Sequence, residues 1–339
     1  MPAPEEVRVT VSVVIPFYNL ERYALPCLDS VAAAFRRTAG AVSLEVVCVD
    51  DGSSDSTGTL LDEYAASASR QGAAGMSVRV VHKPNGGEGS ARNLGVAESA
   101  GDWVTFLDGD DVWLPNHLEV AVPVLGRHPS ADVVAFKYAD FDDGSEVPEP
   151  TVEDEKLFDV RKSVPSEVLI GVGVFPTFFR RDFVAEGRFS SLPLGADRLY
   201  MAQCFARAHK VVKCDAVVHG YRVRAGSMAR AAWDARKVAS QCDFAFGSLA
   251  ALAGSGKEIG REGHGYLASL WLSDVPNRLA RLRRRERRAA WDHWRGTLGS
   301  DCVRALPRFD AIRRLLRRCS FSMALSIAVA RVVRKFGLS

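Results

Sequence analysis

Apolar runs and helix-spaced apolar positions alternate along the first third of this chain at intervals of roughly 30 residues, the pattern of strands joined by crossover helices. Val9 to Ile15 is a near-continuous β-branched run closed by Pro16, which predicts a strand buried on both faces. Leu20 to Phe35 follows with helical spacing, Leu28, Val31 and Phe35 falling on one side. Leu44 to Val49 is a second apolar strand, and it delivers Asp50-Asp51-Gly52-Ser53-Ser54-Asp55-Ser56-Thr57 before a helix through Leu60, Leu61 and Tyr64. Val78 to His82 predicts a third strand, Asn85 to Gly89 a glycine-rich loop, Ala91 to Ser99 a helix and Trp103 to Leu107 a fourth strand. The expected fold class is therefore α/β: a Rossmann-like, mostly parallel sheet with helices on both faces. Ligands of such sheets bind where strands end. Asn19, Asp50, Asp51, Asn85-Gly86-Gly87, Asp108 and Asp110 all fall just after strands and are expected on one rim.

The later chain is less regular. Ala131 to Phe141 predicts a strand, and Asp142 to Val164 an acidic, proline-containing loop or short insert near that rim. Val172 to Phe179 resumes strand character. Phe205 to Val218 predicts a helix end and a strand leading to Tyr221-Arg222-Val223-Arg224. Beyond Met228 the pattern is helical to the end, with glycine-rich breaks at Gly254-Ser255-Gly256 and Gly260 to Gly265.

The densest chemistry lies in Phe106-Leu107-Asp108-Gly109-Asp110-Asp111, three carboxylates at the end of a strand. Like charges this close raise one another's pKa. A hard divalent cation such as Mg²⁺ or Mn²⁺ relieves that repulsion, recruiting carboxylates together with substrate phosphates; an acidic turn capping the next helix is the structural alternative.

Composition changes this picture in two places. The formal net charge of +3 conceals a strong asymmetry. From Arg278 to Ser339 there are 17 Lys and Arg against 4 Asp and Glu, while the rest of the chain is acidic. The basic tail implies an anionic partner of its own. The seven cysteines are scattered without a CxxC pair, and read as reduced thiols, not as disulfides or a zinc site. Met1 to Arg8 is short and acidic with no signal-peptide core. No apolar stretch reaches the roughly 18 residues that a spanning helix needs. These features predict a cytoplasmic protein, peripheral at the inner face of the cell membrane.

With those residues in hand, the chain resembles the family 2 glycosyltransferases of the GT-A fold. Val13-Val14-Ile15-Pro16-Phe17-Tyr18-Asn19 resembles the family's opening strand, and Val49 to Thr57 its donor-binding signature. Asn85-Gly86-Gly87, Ala91-Arg92-Asn93-Leu94-Gly95, Gly101-Asp102 and Phe106 to Asp111 follow in the family's order. The resemblance covers about residues 9 to 228 and implies a transferase domain over 1–228, with nucleotide-sugar binding in 9–115 and an acceptor side in 116–228. A helical, basic region then occupies 229–339. It further implies that Asp51 binds the base of a nucleotide, expected to be uracil, with Tyr18 flanking it and Pro16, Asn19, Asn85 and Arg92 nearby. Asp110 and Asp108 form a DxD pair: Asp110 is the firmer ligand of Mn²⁺ or Mg²⁺, and Asp108 touches ribose or metal.

The family's catalytic base sits in a Glu-Asp pair opening a helix. The matching stretch here is Gly195-Ala196-Asp197-Arg198-Leu199-Tyr200, so Asp197 is the expected base and Ala196 is a departure. Arg224 and Ser227 match the closing segment and are expected at the donor diphosphate, Arg224 standing where histidine is frequent. His219 reads as a packing or surface histidine and Arg222 as equally consistent with a structural role. Arg278 to Arg288 holds seven arginines and one glutamate, and Phe309, Ile312, Leu315, Leu316 and Cys319 have helical spacing among further arginines. That combination suits an anionic membrane surface or, alternatively, a helical subdomain or an oligomer contact. Trp271, Trp291 and Trp294 read as core residues, and nucleic acid is not an expected partner. The function implied is metal-dependent, inverting transfer of a sugar from a UDP-sugar to a hydroxyl of a surface polysaccharide, teichoic-acid-like polymer or lipid-linked glycan. Transfer to polyprenyl phosphate is an alternative. A catalytically reduced, nucleotide-sugar-binding scaffold subunit is the other, hinted at by Ala196.

Overall fold

The computed structural model describes residues 9–71, 74–151, 154–224, 232–259 and 284–297, with a few positions between 262 and 282. The described residues form two compact units, the first drawn from Met1–Asp159, Val172–Ser191 and His209–Ala225 and the second from Val160–Gly171, Leu192–Ala208 and Gly226–Ser339.

The first unit is built on one mixed sheet. Its strands are β1 (Val9–Phe17), β2 (Val42–Asp50), β3 (Met76–His82), β4 (Trp103–Phe106), β5 (Val112–Trp113), β6 (Val133–Asp142), β7 (Glu155–Asp159), β9 (Thr177–Arg180) and β10 (Lys210–Val223), numbering β8 (Ser163–Val164) into the second unit. The order is β3-β2-β1-β4-β9-β6-β10-β5, with β7 added against β10. β3, β2, β1 and β4 are mutually parallel, as are β6 and β10. β9 runs antiparallel between β4 and β6, and β5 and β7 run antiparallel to β10. Two reversals across β9 restore the direction, so β1, β2, β3, β4, β6 and β10 all end on the same rim.

Alternation along β1 explains why both faces are covered. Val11, Val13, Ile15 and Phe17 join the core formed with α1 (Ala24–Arg37) and α4 (His117–Arg127). Val14 faces the other way, against α3 (Glu88–Glu98), whose Gly95 has no room for a side chain: a Cβ there would lie 2.2 Å from Val14 Cγ1. Gly95→Ala is expected to destabilise the protein by about 1–3 kcal/mol, the usual cost of overpacking, read as a lowered urea midpoint; an unchanged midpoint would mean that α3 seats elsewhere.

Pro16 does not close the first strand as expected; β1 continues through Phe17. The Val14 carbonyl accepts the Leu107 N–H at 3.1 Å on the β4 side. Pro16, two residues on, faces that side where β4 has already stopped, so its missing N–H breaks no ladder bond. The expected strand over Val172 to Phe179 begins only at Thr177, preceded by α5 (Ser166–Gly171). The segment from Asp142 to Val164 meets the rim at its start, where Asp143 faces Arg222. It then returns along the sheet edge as β7, pairing with the amino-terminal half of β10.

In the second unit, α7 (Ala196–Arg207) and α9 (Arg284–Thr297) both pack on α8 (Ala235–Gly254), and β8 pairs in parallel with β11 (Glu258–Ile259). Trp294 is completely buried and His293 Nε2 meets the Asp243 carboxylate at 2.6 Å. Leu282, Ala290 and Trp294 of the arginine-rich stretch are thus buried inside the unit; the expected basic helix from Phe309 onward lies outside the described residues, as do Trp271, Cys302 and Cys319. Cys27, Cys48, Cys204, Cys214 and Cys242 are buried. Among the described residues no helix is long and apolar enough to cross a membrane.

Candidate active site

The rim begins with the two aspartates that end β2. Asp51 is 3% exposed, and its carboxylate accepts the Gly86 and Gly87 N–H groups at 2.9 and 2.7 Å and the Lys83 ammonium. Two loops are thereby joined through one side chain. Gly52 makes the approach feasible: its φ is +74°, and a Cβ would lie 2.8 Å from the Asn85 nitrogen. Asp50 accepts Ser53 N–H at 3.0 Å and meets His82 Nδ1 at 2.9 Å. Burial pushes the Asp50 carboxyl up, but the bonds from Ser53 and His82 outweigh it and hold its pKa below the ordinary range.

His82, bonded to Asp50 and then to Asp62, is correspondingly raised above 6.5. A raised histidine stabilises the fold fully below its unfolded pKa, and that contribution fades as pH rises through the raised value. The His82 ring protons are therefore expected to titrate in NMR at higher pH in the parent than in Asp50→Asn; equal midpoints would break the pairing.

Asn19 adopts a left-handed φ of +53°, accepts Ser54 N–H at 2.8 Å and donates its own N–H to Ser53 Oγ at 3.1 Å. It splints the loop after β1 to the loop after β2, leaving Tyr18 49% exposed on the rim. Pro16 contributes backbone: its carbonyl and the Phe17 ring crowd Gly109, where a Cβ would lie 2.5 Å from Phe17 Cδ1.

That glycine lets the acidic turn after β4 lie against β1, and the turn's three carboxylates have different fates. Asp108 Oδ1 meets the Arg92 guanidinium at 2.6 Å. Arg92 is almost fully buried on α3, 5.4 Å from the centre of the Phe189 ring. Asp110 Oδ2 accepts from Arg224 Nε at 2.6 Å, and its carbonyl accepts from Arg222 Nε at 2.7 Å. Burial and the neighbouring Asp108 charge raise the Asp110 carboxyl above the ordinary range, although Arg224 opposes them. Asp111 points inward. Its Oδ2 lies 3.0 Å from His219 Nε2, its Oδ1 accepts Arg222 N–H at 2.7 Å, and burial pushes its pKa above the ordinary carboxylate range.

His219 is thus completely buried and is a partner of the acidic turn, the packing alternative of its expected roles and not the surface one. Arg222 braces the turn, lying 4.7 Å from the centre of the Phe141 ring and 3.3 Å from Asp143. Tyr23 donates to Asp143 at 2.9 Å, and the guanidinium of Arg224 lies 5.2 Å from the Tyr23 ring centre.

Pro16, Tyr18, Asn19, Asp51, Asn85, Arg92, Asp108, Asp110 and Arg224 therefore share one rim of the first unit. Ser227 lies outside the described residues. Sequence reasoning missed Lys83, Tyr23, Asp143 and the tie between His219 and Asp111. Lys83 and Asp143 directly follow strands, a signal that was there to read.

Asp197 belongs to the second unit, in the first turn of α7. Gly195 precedes it at φ +78°, and a Cβ there would lie 2.1 Å from Phe244 Cδ1 on α8. Ser240 of α8 accepts the Leu194 N–H at 3.0 Å and donates to the Leu194 carbonyl at 2.7 Å. The loop before α7 is clamped twice, which fixes where the helix starts and where its first carboxylate stands.

No group of three or more His, Cys, Asp or Glu among the described residues is arranged to hold a metal ion by itself. Asp108 and Asp110, one glycine apart on the rim, could supply two carboxylates of a cation site completed by phosphate oxygens, as hard divalent ions accept.

Comparison with known proteins agrees with this architecture. The model of glycosyl transferase family 2 matches residues 12–187. Glycosyltransferase GlyG of Streptococcus pneumoniae serotype 4 is 28% identical over 239 residues, covering 66% of this chain and 74% of that protein. Glycosyltransferase GlyA of the same organism is 23% identical over 65% of this chain and only 31% of its own length. Among solved structures, S. aureus TarS 1–349 in complex with UDP-GlcNAc superposes with a TM-score of 0.68 at 22% identity, covering 96% of this chain and 91% of that one. The mannosyltransferase PcManGT from Pyrobaculum calidifontis, in complex with GDP-Man and Mn²⁺, superposes at 0.55 with 18% identity over 97% of this chain and 88% of its own. The mixed sheet is the GT-A fold, and the chain belongs to glycosyl transferase family 2.

Proposed function

We propose that this glycosyltransferase is metal-dependent and inverting, and that it moves a sugar from a UDP-sugar to a hydroxyl of a cell-surface polysaccharide, teichoic-acid-like polymer or lipid-linked glycan. The observation that carries the reading is the order of groups along one rim: a buried aspartate in a glycine loop, then a pair of aspartates each facing an arginine. Asp51 would take the uracil ring N–H, exchanging one of its present donors for it, with Tyr18 beside the base. Asp108 and Asp110 would hold Mn²⁺ or Mg²⁺, which supplies charge neutralisation for a diphosphate leaving group. Arg224, released from Asp110, and Ser227 would bind the diphosphate.

In the proposed reaction the acceptor oxygen bonds to the anomeric carbon as the bond from that carbon to the diphosphate breaks. The nucleoside diphosphate leaves with the electron pair, and Asp197 takes the acceptor's proton. Uracil is favoured because TarS is a neighbour holding UDP-GlcNAc; PcManGT, holding GDP-Man, makes guanine the competitor. The transferase domain is proposed to run over 1–228, with the basic region beyond it meeting an anionic membrane surface.

A thermal-shift panel of UDP, GDP, TDP and CDP, each with and without Mn²⁺, tests the donor. A ligand at about 100 times its Kd adds roughly 2.7 kcal/mol. Mn²⁺-dependent stabilisation by UDP alone is expected, and a preference for another nucleotide would remove the uracil assignment.

A further inference from the structure

On the opposite side of the acidic turn from Asp51, three aromatic rings stand together that the donor reading does not use. Phe175, in the loop before β9, lies parallel to Tyr221 of β10, with ring centres 5.9 Å apart and planes at 1°. The same ring stacks on His219 at 5.4 Å, and Tyr138 of β6 flanks both Phe175 and Tyr221 at 6.1 and 5.9 Å. The group is anchored from beneath, because His219 is the buried partner of Asp111. Its outer side is accessible: Tyr138 is 48% exposed, and Asp140, two residues on along β6 and in register with Tyr221, is exposed as well. Burial, followed by the charges of Asp111, Asp108 and Asp110, pushes the Tyr221 hydroxyl up to about 12, so it remains a neutral hydrogen-bond donor.

Position along the sheet narrows the occupant. Asp51 follows β2, the acidic turn follows β4, and the rings sit on β6 and β10. Three strands separate β2 from β6, roughly 20 Å at the usual strand spacing, so the rings do not serve a base held at Asp51. A sugar ring has an apolar C–H face and a girdle of hydroxyls. An aromatic face with hydroxyl tips and a flanking carboxylate complements both features.

We propose that Tyr138, Phe175 and Tyr221 form a platform on which a pyranose ring of the acceptor stacks, with Asp140 accepting hydrogen bonds from its hydroxyls. The proposal rests on the glycosyltransferase reading and narrows the acceptor to a chain with cyclic sugars at its growing end. An open-chain polyol would present no C–H face to the rings.

The test uses the full chain saturated with UDP and the diamagnetic Mg²⁺, and saturation-transfer NMR with methyl β-D-glucopyranoside, methyl β-D-galactopyranoside and methyl N-acetyl-β-D-glucosaminide. Ribitol and glycerol serve as ring-free controls. At least one pyranoside is expected to receive saturation on one ring face, and Tyr138→Ala to weaken its Kd by roughly 3- to 10-fold, the size of a lost aromatic contact. Tyr138→Trp restores binding. Because Tyr138 is exposed, the variant is expected to keep the parent melting temperature and UDP affinity. Three results overturn the platform while leaving the transferase reading intact: no pyranoside signal, equal signals from the polyols, or pyranoside binding indifferent to Tyr138→Ala. A loss of UDP-sugar affinity relative to UDP in Tyr138→Ala also overturns it, by assigning the rings to the donor sugar. Failure of UDP itself to bind would count against the uracil assignment of the proposed donor instead, and the pyranosides are then tested with GDP in its place.

Discussion

Asp110→Asn is expected to lower kcat by about a hundredfold to a thousandfold, the range found when one preorganised electrostatic contact to a developing charge is removed. The substitution keeps the shape of the side chain and deletes its charge. The effect on stability should be small, because burial and Asp108 already disfavour that charge in the folded state. Arg224 loses an ion pair that is only partly buried, and such pairs contribute little. Binding should divide cleanly. The part of UDP stabilisation that depends on Mn²⁺ is expected to disappear, and the part that reflects Asp51 and Tyr18 to remain. Stopped assays of product formation and the thermal shifts check the two halves; a kcat within threefold of the parent would remove Asp110 from the metal site.

The second large effect is expected at Asp197. Asp197→Asn should cost roughly 10²- to 10⁴-fold in kcat, the usual contribution of a positioned general base. UDP affinity should be unchanged, because the residue has no part in the proposed donor site. Its carboxylate has no hydrogen-bond partner among the described residues, so the fold loses no contact when the charge goes. The diagnostic is the split between binding and turnover: kcat should fall while the thermal shift given by UDP is kept. A scaffold subunit would show no turnover to lose. A variant with the parent's kcat would place the base elsewhere.

Much of this was legible because parallel strands leave a loud signature. A strand buried on both faces needs a continuous apolar run, and β1, β2 and β4 supply one each, so every polar cluster that followed could be placed on a single rim. The reversed strand β9 was harder. The residues before it, Val172 to Phe175, are as apolar as a strand but form an irregular approach to Thr177, and composition does not distinguish the two. Partners were harder still. Asp111 stands beside Asp110 in sequence yet turns inward to His219, more than a hundred residues away, because β5 and β10 pair antiparallel at Trp113 and His219. Only register brings those two together. The same holds for Lys83 on Asp51 and for the three rings from Tyr138 to Tyr221, none of which forms a motif in one dimension.

The most direct test of the account is crystallographic. Crystals grown with UDP and Mn²⁺, with data collected at the manganese absorption edge, locate the metal independently of any assumption about ligands. The account predicts one anomalous peak bonded to Asp110, within reach of Asp108 and bridged to the UDP phosphates, with the uracil at Asp51 and Arg224 moved from Asp110 to the diphosphate. A peak elsewhere, or UDP bound without contact to the turn after β4, would contradict it.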